Sequence, residues 1–356
     1  MGRKVEPKTK ERTNVYLDIK LKTQLLALGE SVNKGLSELL MEGARDLLER
    51  YSAQGVPDKQ QAPEEPENTW ILKERDFMLQ PDGNSHNGIT FVVTNNKGGV
   101  AKTTSCTAMA YVAAKKKHRV LVIDADMQGN ASQLLGHAID EEEQPNLAAY
   151  FAEYITAIEK KKPFPEVKDY ILATDYKNMD VIIASSDLQG RLEDSVKEMN
   201  ANYDNLMEIL VNDIKKLNIY DFIFIDTQPS MNVFVTSSLF AADYALIPTD
   251  VDIQGIEGAI KLSDWIAQRS SRRRIAKVAG VFFTRADERT AMAKNIPAFK
   301  EQLKEMEINC FRTVISQCSD VPNSRANSKP VTVMYPAAKA SKKYENLLGE
   351  VVEVIG

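Results

Sequence analysis

The residues of this 356-residue chain best suited to chemistry cluster first between Thr94 and Thr104, reading TNNKGGVAKTT. This stretch follows the β-branched, apolar run Ile89-Thr90-Phe91-Val92-Val93 and precedes a helical pattern from about Thr103 to Lys117. Strand, glycine loop and helix in that order form a setting in which backbone N–H groups cradle phosphate. Gly98 and Gly99 let the backbone approach an anion, and the run Lys97, Gly98, Gly99, Val100, Ala101, Lys102, Thr103, Thr104 supplies the candidate nucleotide contacts. In such a loop Lys102 reaches the β- and γ-phosphates, and the Thr103 hydroxyl ligates Mg²⁺. The usual G-x-x-x-x-G-K-[ST] frame, counted back from Lys102, would place glycine where Asn96 and Ala101 stand. Alanine at 101 costs little if its φ is negative and more if it is positive. Taken alone, the segment also fits a glycine turn ahead of a lysine-rich surface helix.

Two acidic motifs narrow that choice. Val120-Leu121-Val122-Ile123 ends in Asp124-Ala125-Asp126, and Phe222-Ile223-Phe224-Ile225 ends in Asp226. A carboxylate closing an apolar strand is a Walker B pattern, in which Asp226 holds Mg²⁺. The Asp-x-Asp pair by itself fits a solvated strand end equally well. Strand-like runs are predicted at Ile89–Thr94, Val120–Asp124, Val181–Ala184, Phe222–Asp226, Tyr244–Pro248, Val278–Thr284 and Phe311–Ile315, with helical patterns between them. Such alternation predicts an α/β fold, a mainly parallel sheet flanked by helices, with ligands at the carboxyl ends of the strands.

The lysine upstream of the glycines carries a resemblance. Lys97-Gly98-Gly99-Val100-Ala101-Lys102-Thr103-Thr104 is similar to the deviant Walker A loop K-G-G-V-G-K-T-T of the ParA/MinD family of P-loop ATPases, and only Ala101 departs from it. Asp124-Ala125-Asp126-Met127-Gln128-Gly129-Asn130 resembles the family's D-x-D-P-Q-G-N, with Met127 for proline, and Asp226-Thr227-Gln228-Pro229 its D-T-P-P, with Gln228 for proline. The resemblance spans about residues 88 to 354, including a closing strand-turn-helix from Lys329 onward. It implies Mg²⁺-dependent turnover of ATP to ADP, with Asp126 orienting the attacking water and Asp124 supporting the metal shell. It implies a homodimer in which Lys97 reaches the partner's phosphates, in the manner of an arginine finger. Thr284 and Arg285 correspond to positions near adenine. The cluster Arg272, Arg273 and Arg274 corresponds to a C-terminal half that holds non-specific DNA in relatives; a solvated helix end is the alternative.

Residues 1–51 read as a separate module. Residues 1–12 form a basic arm with five basic and two acidic side chains, suited to phosphates. Thr13 to Leu17 alternates like a short strand, and two amphipathic helices follow, the first starting after Asp18 and the second near Ser37. So small a unit gains a core if two chains pair their strands, and the arrangement resembles a ribbon-helix-helix DNA-binding domain. That resemblance implies Arg12, Asn14 and Tyr16 facing base edges, and Lys34 and Ser37 near a phosphate. A helical hairpin that mediates dimerisation or docks on the ATPase fits the same pattern. Residues 52–88, with Gln60-Gln61-Ala62-Pro63-Glu64-Glu65-Pro66, read as linker and extension, and 89–356 as the ATPase domain.

Composition sets bounds on function. A net charge of −5 argues against a wholly basic nucleic-acid coat, though not against local basic patches. Cys106, Cys310 and Cys318 show no metal or disulfide spacing, which fits a reducing cytosol. No apolar run approaches a membrane span, and the acidic, glycine-interrupted stretch Leu347 to Gly356 lacks the basic amphipathic pattern of a membrane-binding tail. The expectation is a cytoplasmic, nucleoid-associated partition ATPase. Its expected partners are non-specific DNA, operator or centromere DNA and a ParB-like centromere-binding protein, with no membrane. A transcriptional regulator that uses the ATPase fold as a nucleotide sensor is the alternative.

Overall fold

The alternation of apolar strands with helical stretches builds one seven-stranded sheet in the computed structural model, which describes residues 88–139, 144–186, 205–287, 289–290 and 292–355. The module read at 1–51, with Arg12, Asn14, Tyr16, Lys34 and Ser37, and the linker up to residue 87 lie outside the described residues. The strands are β1 (Ile89–Val93), β2 (Val120–Ala125), β3 (Leu172–Ala173), β4 (Met179–Ile182), β5 (Phe222–Thr227), β6 (Tyr244–Asp250) and β7 (Lys277–Thr284). Their order is β3-β4-β2-β5-β1-β6-β7, and every pair is parallel except β3 with β4. The helices are α1 (Lys102–Lys115), α2 (Asn130–Leu134), α3 (Leu147–Lys160), α4 (Leu206–Lys216), α5 (Val233–Ala241), α6 (Ile253–Ser270), α7 (Ile296–Glu305), α8 (Asp320–Ala326), α9 (Val331–Met334) and α10 (Lys339–Ile355).

The central strands read as continuous apolar runs because both of their faces are covered. Val92, Leu121, Ile123, Ile223 and Ile225 point into one core with α3, α4, α5 and α6. Their alternates Phe91, Val93, Val120, Val122 and Phe224 point into the other, with α1 and α10. Helix α1 is buried along most of its length, and its small residues Ser105, Cys106, Ala108, Ala110 and Ala113 let it lie close between the sheet and α10. This packing holds the N-terminus of α1 at the carboxyl end of β1.

Three sequence expectations change. The segment expected as a strand at Phe311–Ile315 follows β7 without becoming an eighth strand. Phe311 N donates to Val281 O and Ile315 N to Phe283 O, both at 2.9 Å, but the amides between turn elsewhere. Arg312 N and Thr313 N donate to the Glu350 carboxylate of α10 at 2.6 and 3.0 Å, and the Thr313 hydroxyl adds a bond of 2.6 Å. The closing strand expected near Val331 is instead the single helical turn α9: Pro330 has no N–H for a ladder, and its carbonyl accepts from Val333 N and Met334 N. The strand expected at Val181–Ala184 starts two residues earlier, and the short antiparallel β3 beside it was not anticipated.

Candidate active site

The carboxyl ends of β1, β2, β5, β6 and β7 converge on the Thr94–Thr104 loop. Ala101 is the N-cap residue of α1 and sits in the left-handed region, with φ +60° and ψ +33°. That is the conformation in which alanine is costly, by about 1–2 kcal/mol relative to the right-handed form, so Ala101 is not the near-neutral replacement that a negative φ would have made it. Gly99 also has positive φ, +78°. No side chain caps α1, which leaves its first N–H groups free of a side-chain partner and its positive dipole end facing the cleft.

Behind the loop lies a group of charges with little internal pairing. Asp226 is fully buried, and neither carboxylate oxygen has a hydrogen-bond partner. Burial, with Asp124 and Asp126 nearby, pushes its carboxyl well above the usual range; the neighbouring Thr103 hydroxyl and Lys102 offset this only in part. Lys102 is 7% exposed, and its ammonium donates to Lys97 O at 3.1 Å. Burial lowers its pKa, opposed by Asp226 and Asp126. Asp124 is opposite Asp226 in the β2–β5 register. Its Oδ2 accepts from Ser132 N and Ser132 Oγ, both at 2.7 Å, and its Oδ1 from Asp126 N at 3.2 Å. Burial raises it to about 6 despite those bonds. Ser132 Oγ also accepts from Ala184 N at 3.0 Å. Asp124 therefore fastens α2 to β2, while Asp126, with Oδ1 bonded to Gln128 N at 3.0 Å, lines the cleft.

This donor set fits a magnesium ion. An unpartnered carboxylate beside a threonine hydroxyl offers hard oxygen ligands. No cluster of three or more His, Cys, Asp or Glu among the described residues could hold a metal, so the rest of the shell would come from phosphate oxygens and water.

Lys97 lies on the other side of the loop. Its ammonium hydrogen-bonds Asp252 Oδ2 and stands 3.4 Å from Asp250 Oδ2. Burial lowers its pKa, and the two carboxylates together outweigh that and raise it. Thr284 is fully buried, its hydroxyl 3.1 Å from Val100 O and 3.3 Å from Thr249 O. Arg285 Nη1 donates to Gly99 O at 2.8 Å. Both residues placed near adenine by resemblance therefore contact the loop backbone directly. Gly255 lies in the first turn of α6, where a Cβ would come within 2.6 Å of Thr249 Oγ1 and 2.8 Å of Asp250 O.

The cleft measures about 600 Å³ and joins the loop, Asp126 and Gln128 to a wall formed by Ile315, Gln317, Cys318 and Pro322. Sequence reasoning missed this wall, because nothing in its residue types signals a ligand. It is placed by the bonds between Ala286 and the Ile315–Gln317 backbone and by the grip of Glu350 on Arg312 and Thr313.

The basic cluster proves to be divided. Arg273 donates to Glu208 at 2.7 Å and lies over the Phe240 ring, and Arg274 pairs with Asp243. The sequence shows no acid between these arginines; the tertiary structure brings acids from α4 and the α5–β6 turn. Arg272 is exposed. Among the described residues no helix is long and apolar enough to cross a membrane.

A family model described as AAA domain matches residues 89–277. Among curated relatives, the chromosome-partitioning ATPase Soj of Treponema pallidum is 28% identical over 266 residues, covering 74% of this chain and 97% of that protein. Solved structures share the fold, among them the following two. A complex of a Cyanothece McdA variant with ATP has a TM-score of 0.61 at 21% identity, covering 76% of this chain and 98% of that one. The septum site-determining protein MinD of Pyrococcus horikoshii with Mg-ADP has a TM-score of 0.60 at 18% identity, with coverage of 76% and 98%. The chain belongs to the AAA domain family, and the similarities support an ATPase of the ParA/MinD type.

Proposed function

We propose that the chain is a DNA-partition ATPase that hydrolyses Mg-ATP at the β1–α1 loop and uses the nucleotide to pair with a second copy of itself. The observation that carries this reading is the bare, buried Asp226 carboxylate behind Lys102 and Thr103 at an uncapped helix N-terminus. A folded protein leaves such a charge unpartnered where a ligand is to complete it. The α1 amides and Lys102 bind and neutralise the phosphates, Thr103 and Asp226 offer oxygens to the metal, and Asp126 orients water at the cleft. Bound magnesium supplies charge neutralisation at the phosphate oxygens. Lys97, freed from Asp250 and Asp252, serves the partner's phosphates, so that nucleotide state controls dimerisation.

The homology to Soj, a chromosome-partitioning ATPase, supports a cargo of DNA. In this reading the dimer binds DNA without sequence preference, a ParB-like centromere-binding protein stimulates turnover, and residues 1–51 bind operator DNA. The test is phosphate release from Mg-ATP with and without duplex DNA and the cognate partner. Turnover that the partner raises and Asp126→Ala abolishes is expected. No turnover under any of these conditions would leave a nucleotide sensor.

A further inference from the structure

The loop is gripped from outside by residues to which the reaction assigns no role. We infer that Thr284, Arg285 and Asp250 form a clamp that presets the phosphate loop by holding its carbonyls away from the ligand. This rests on the reading of that loop as the nucleotide site. Two successive carbonyls, of Gly99 and Val100, accept from Arg285 Nη1 at 2.8 Å and from the Thr284 hydroxyl at 3.1 Å. Both donors belong to the end of β7. The peptide unit is planar, with C=O and N–H opposed. A carbonyl pinned toward β7 therefore turns the following N–H, those of Val100 and Ala101, away from β7. Gly99 and Ala101 both take positive φ on either side of this pinned pair, a local cost that the two side-chain bonds help to hold in place.

Asp250, at the end of β6, links the clamp to the other lysine. Its Oδ2 stands 3.9 Å from Arg285 Nη1 and 3.4 Å from Lys97 Nζ, and its Oδ1 is buried without a hydrogen-bond partner. One carboxylate thus sits between a cation of the loop itself, Lys97, and one that reaches the loop from the end of β7, Arg285. Arg285 itself takes φ +54° to reach the loop. The clamp is a positioning device: none of its three groups needs to touch the nucleobase.

That feature makes it testable. A residue that orients the loop affects every ligand carrying a polyphosphate, whereas a residue that reads the base alters discrimination between bases. The experiment measures binding of Mg-tripolyphosphate, Mg-ATP and Mg-GTP to the full chain carrying Thr284→Val, Thr284→Ser, Arg285→Ala or Arg285→Lys, with hydrogen exchange of the loop amides alongside. Thr284→Val is expected to weaken tripolyphosphate and ATP by one common factor, about tenfold for a lost buried hydrogen bond, and Arg285→Ala, whose bond is exposed, by a smaller common factor. The ATP-to-GTP ratio should hold while loop amide exchange rises. Thr284→Ser and Arg285→Lys keep a donor and should restore most of the binding, and Asp250→Asn should raise exchange at Lys97 and Gly99 together. A changed ATP-to-GTP ratio with tripolyphosphate binding intact would overturn the clamp and return these residues to base recognition. A native protein that binds tripolyphosphate but not ATP would remove the ATPase reading while leaving the clamp standing. A native protein that binds neither overturns both.

Discussion

The two ends of the sheet treat charge in opposite ways. At the amino ends of the strands, charges are paired: Tyr220 OH donates to Asp180 at 2.9 Å, Arg119 N to Asp221 at 2.8 Å, and Lys215 Nζ to Asp243 at 2.8 Å, with Arg274 on the same carboxylate. At the carboxyl ends the half-buried Lys97 is paired with Asp250 and Asp252, but the buried Asp226 has no hydrogen bond and the Lys102 ammonium donates only to a loop carbonyl. Both ends bury ionisable groups, so burial alone does not mark the site. The difference lies in whether the fold supplies partners. Paired buried charges serve architecture, and unpartnered ones cost stability that a ligand can return.

This contrast can be broken experimentally, and the largest effect is expected at Asp226. Asp226→Asn should reduce ATP turnover by about a hundredfold or more. The thermal midpoint of the nucleotide-free protein should not fall, because the substitution replaces a buried carboxyl whose oxygens have no hydrogen-bond partner. A lower midpoint, read by calorimetry, would show that Asp226 is structural like Asp180.

A second pair of variants separates the arginines. Arg273→Ala should cost about 1 kcal/mol in urea unfolding, from the lost Phe240 contact and the Glu208 pair. Arg272→Ala should leave stability within about 0.5 kcal/mol yet lower affinity for non-specific DNA, with a shallower salt dependence. If Arg273→Ala weakened DNA without loss of stability, the paired region would be functional after all.

Smaller effects are expected within the loop. Ala101→Gly relieves the left-handed alanine and should raise stability by about 0.5–1 kcal/mol, seen as a higher thermal midpoint. Burial pushes Asp252 up, but the Lys97 ammonium and the Gly255 N–H outweigh it and hold its carboxyl below the usual range. A depressed carboxyl adds stability above its unfolded pKa and loses it as pH falls through the folded one. The contribution should therefore fade below about pH 4 and stay under about 0.5 kcal/mol, since the pair is partly exposed and screened by solvent. Asp252→Asn should flatten that part of the pH–stability curve.

The order of motifs along the chain sufficed for the fold class, for the loop at 94–104, and for Asp124, Asp126 and Asp226 as strand-end carboxylates. Local patterns determine these: an apolar run buried on both faces is readable without knowing its neighbours. Other features depend on residues far apart in sequence. The sequence marks Arg272, Arg273 and Arg274 as one basic cluster, and only Glu208, Phe240 and Asp243, brought in by packing, set two of them apart from the third. Phe311–Ile315 has the composition of a strand, and Glu350 on α10 diverts its amides. Thr284 and Arg285 are ordinary strand-end residues until β7 lies beside the loop. Periodicity reports which face of an element is buried. What a buried polar atom meets there is decided by the tertiary structure, because hydrogen bonds and ion pairs act over a few ångströms between segments the chain order keeps far apart.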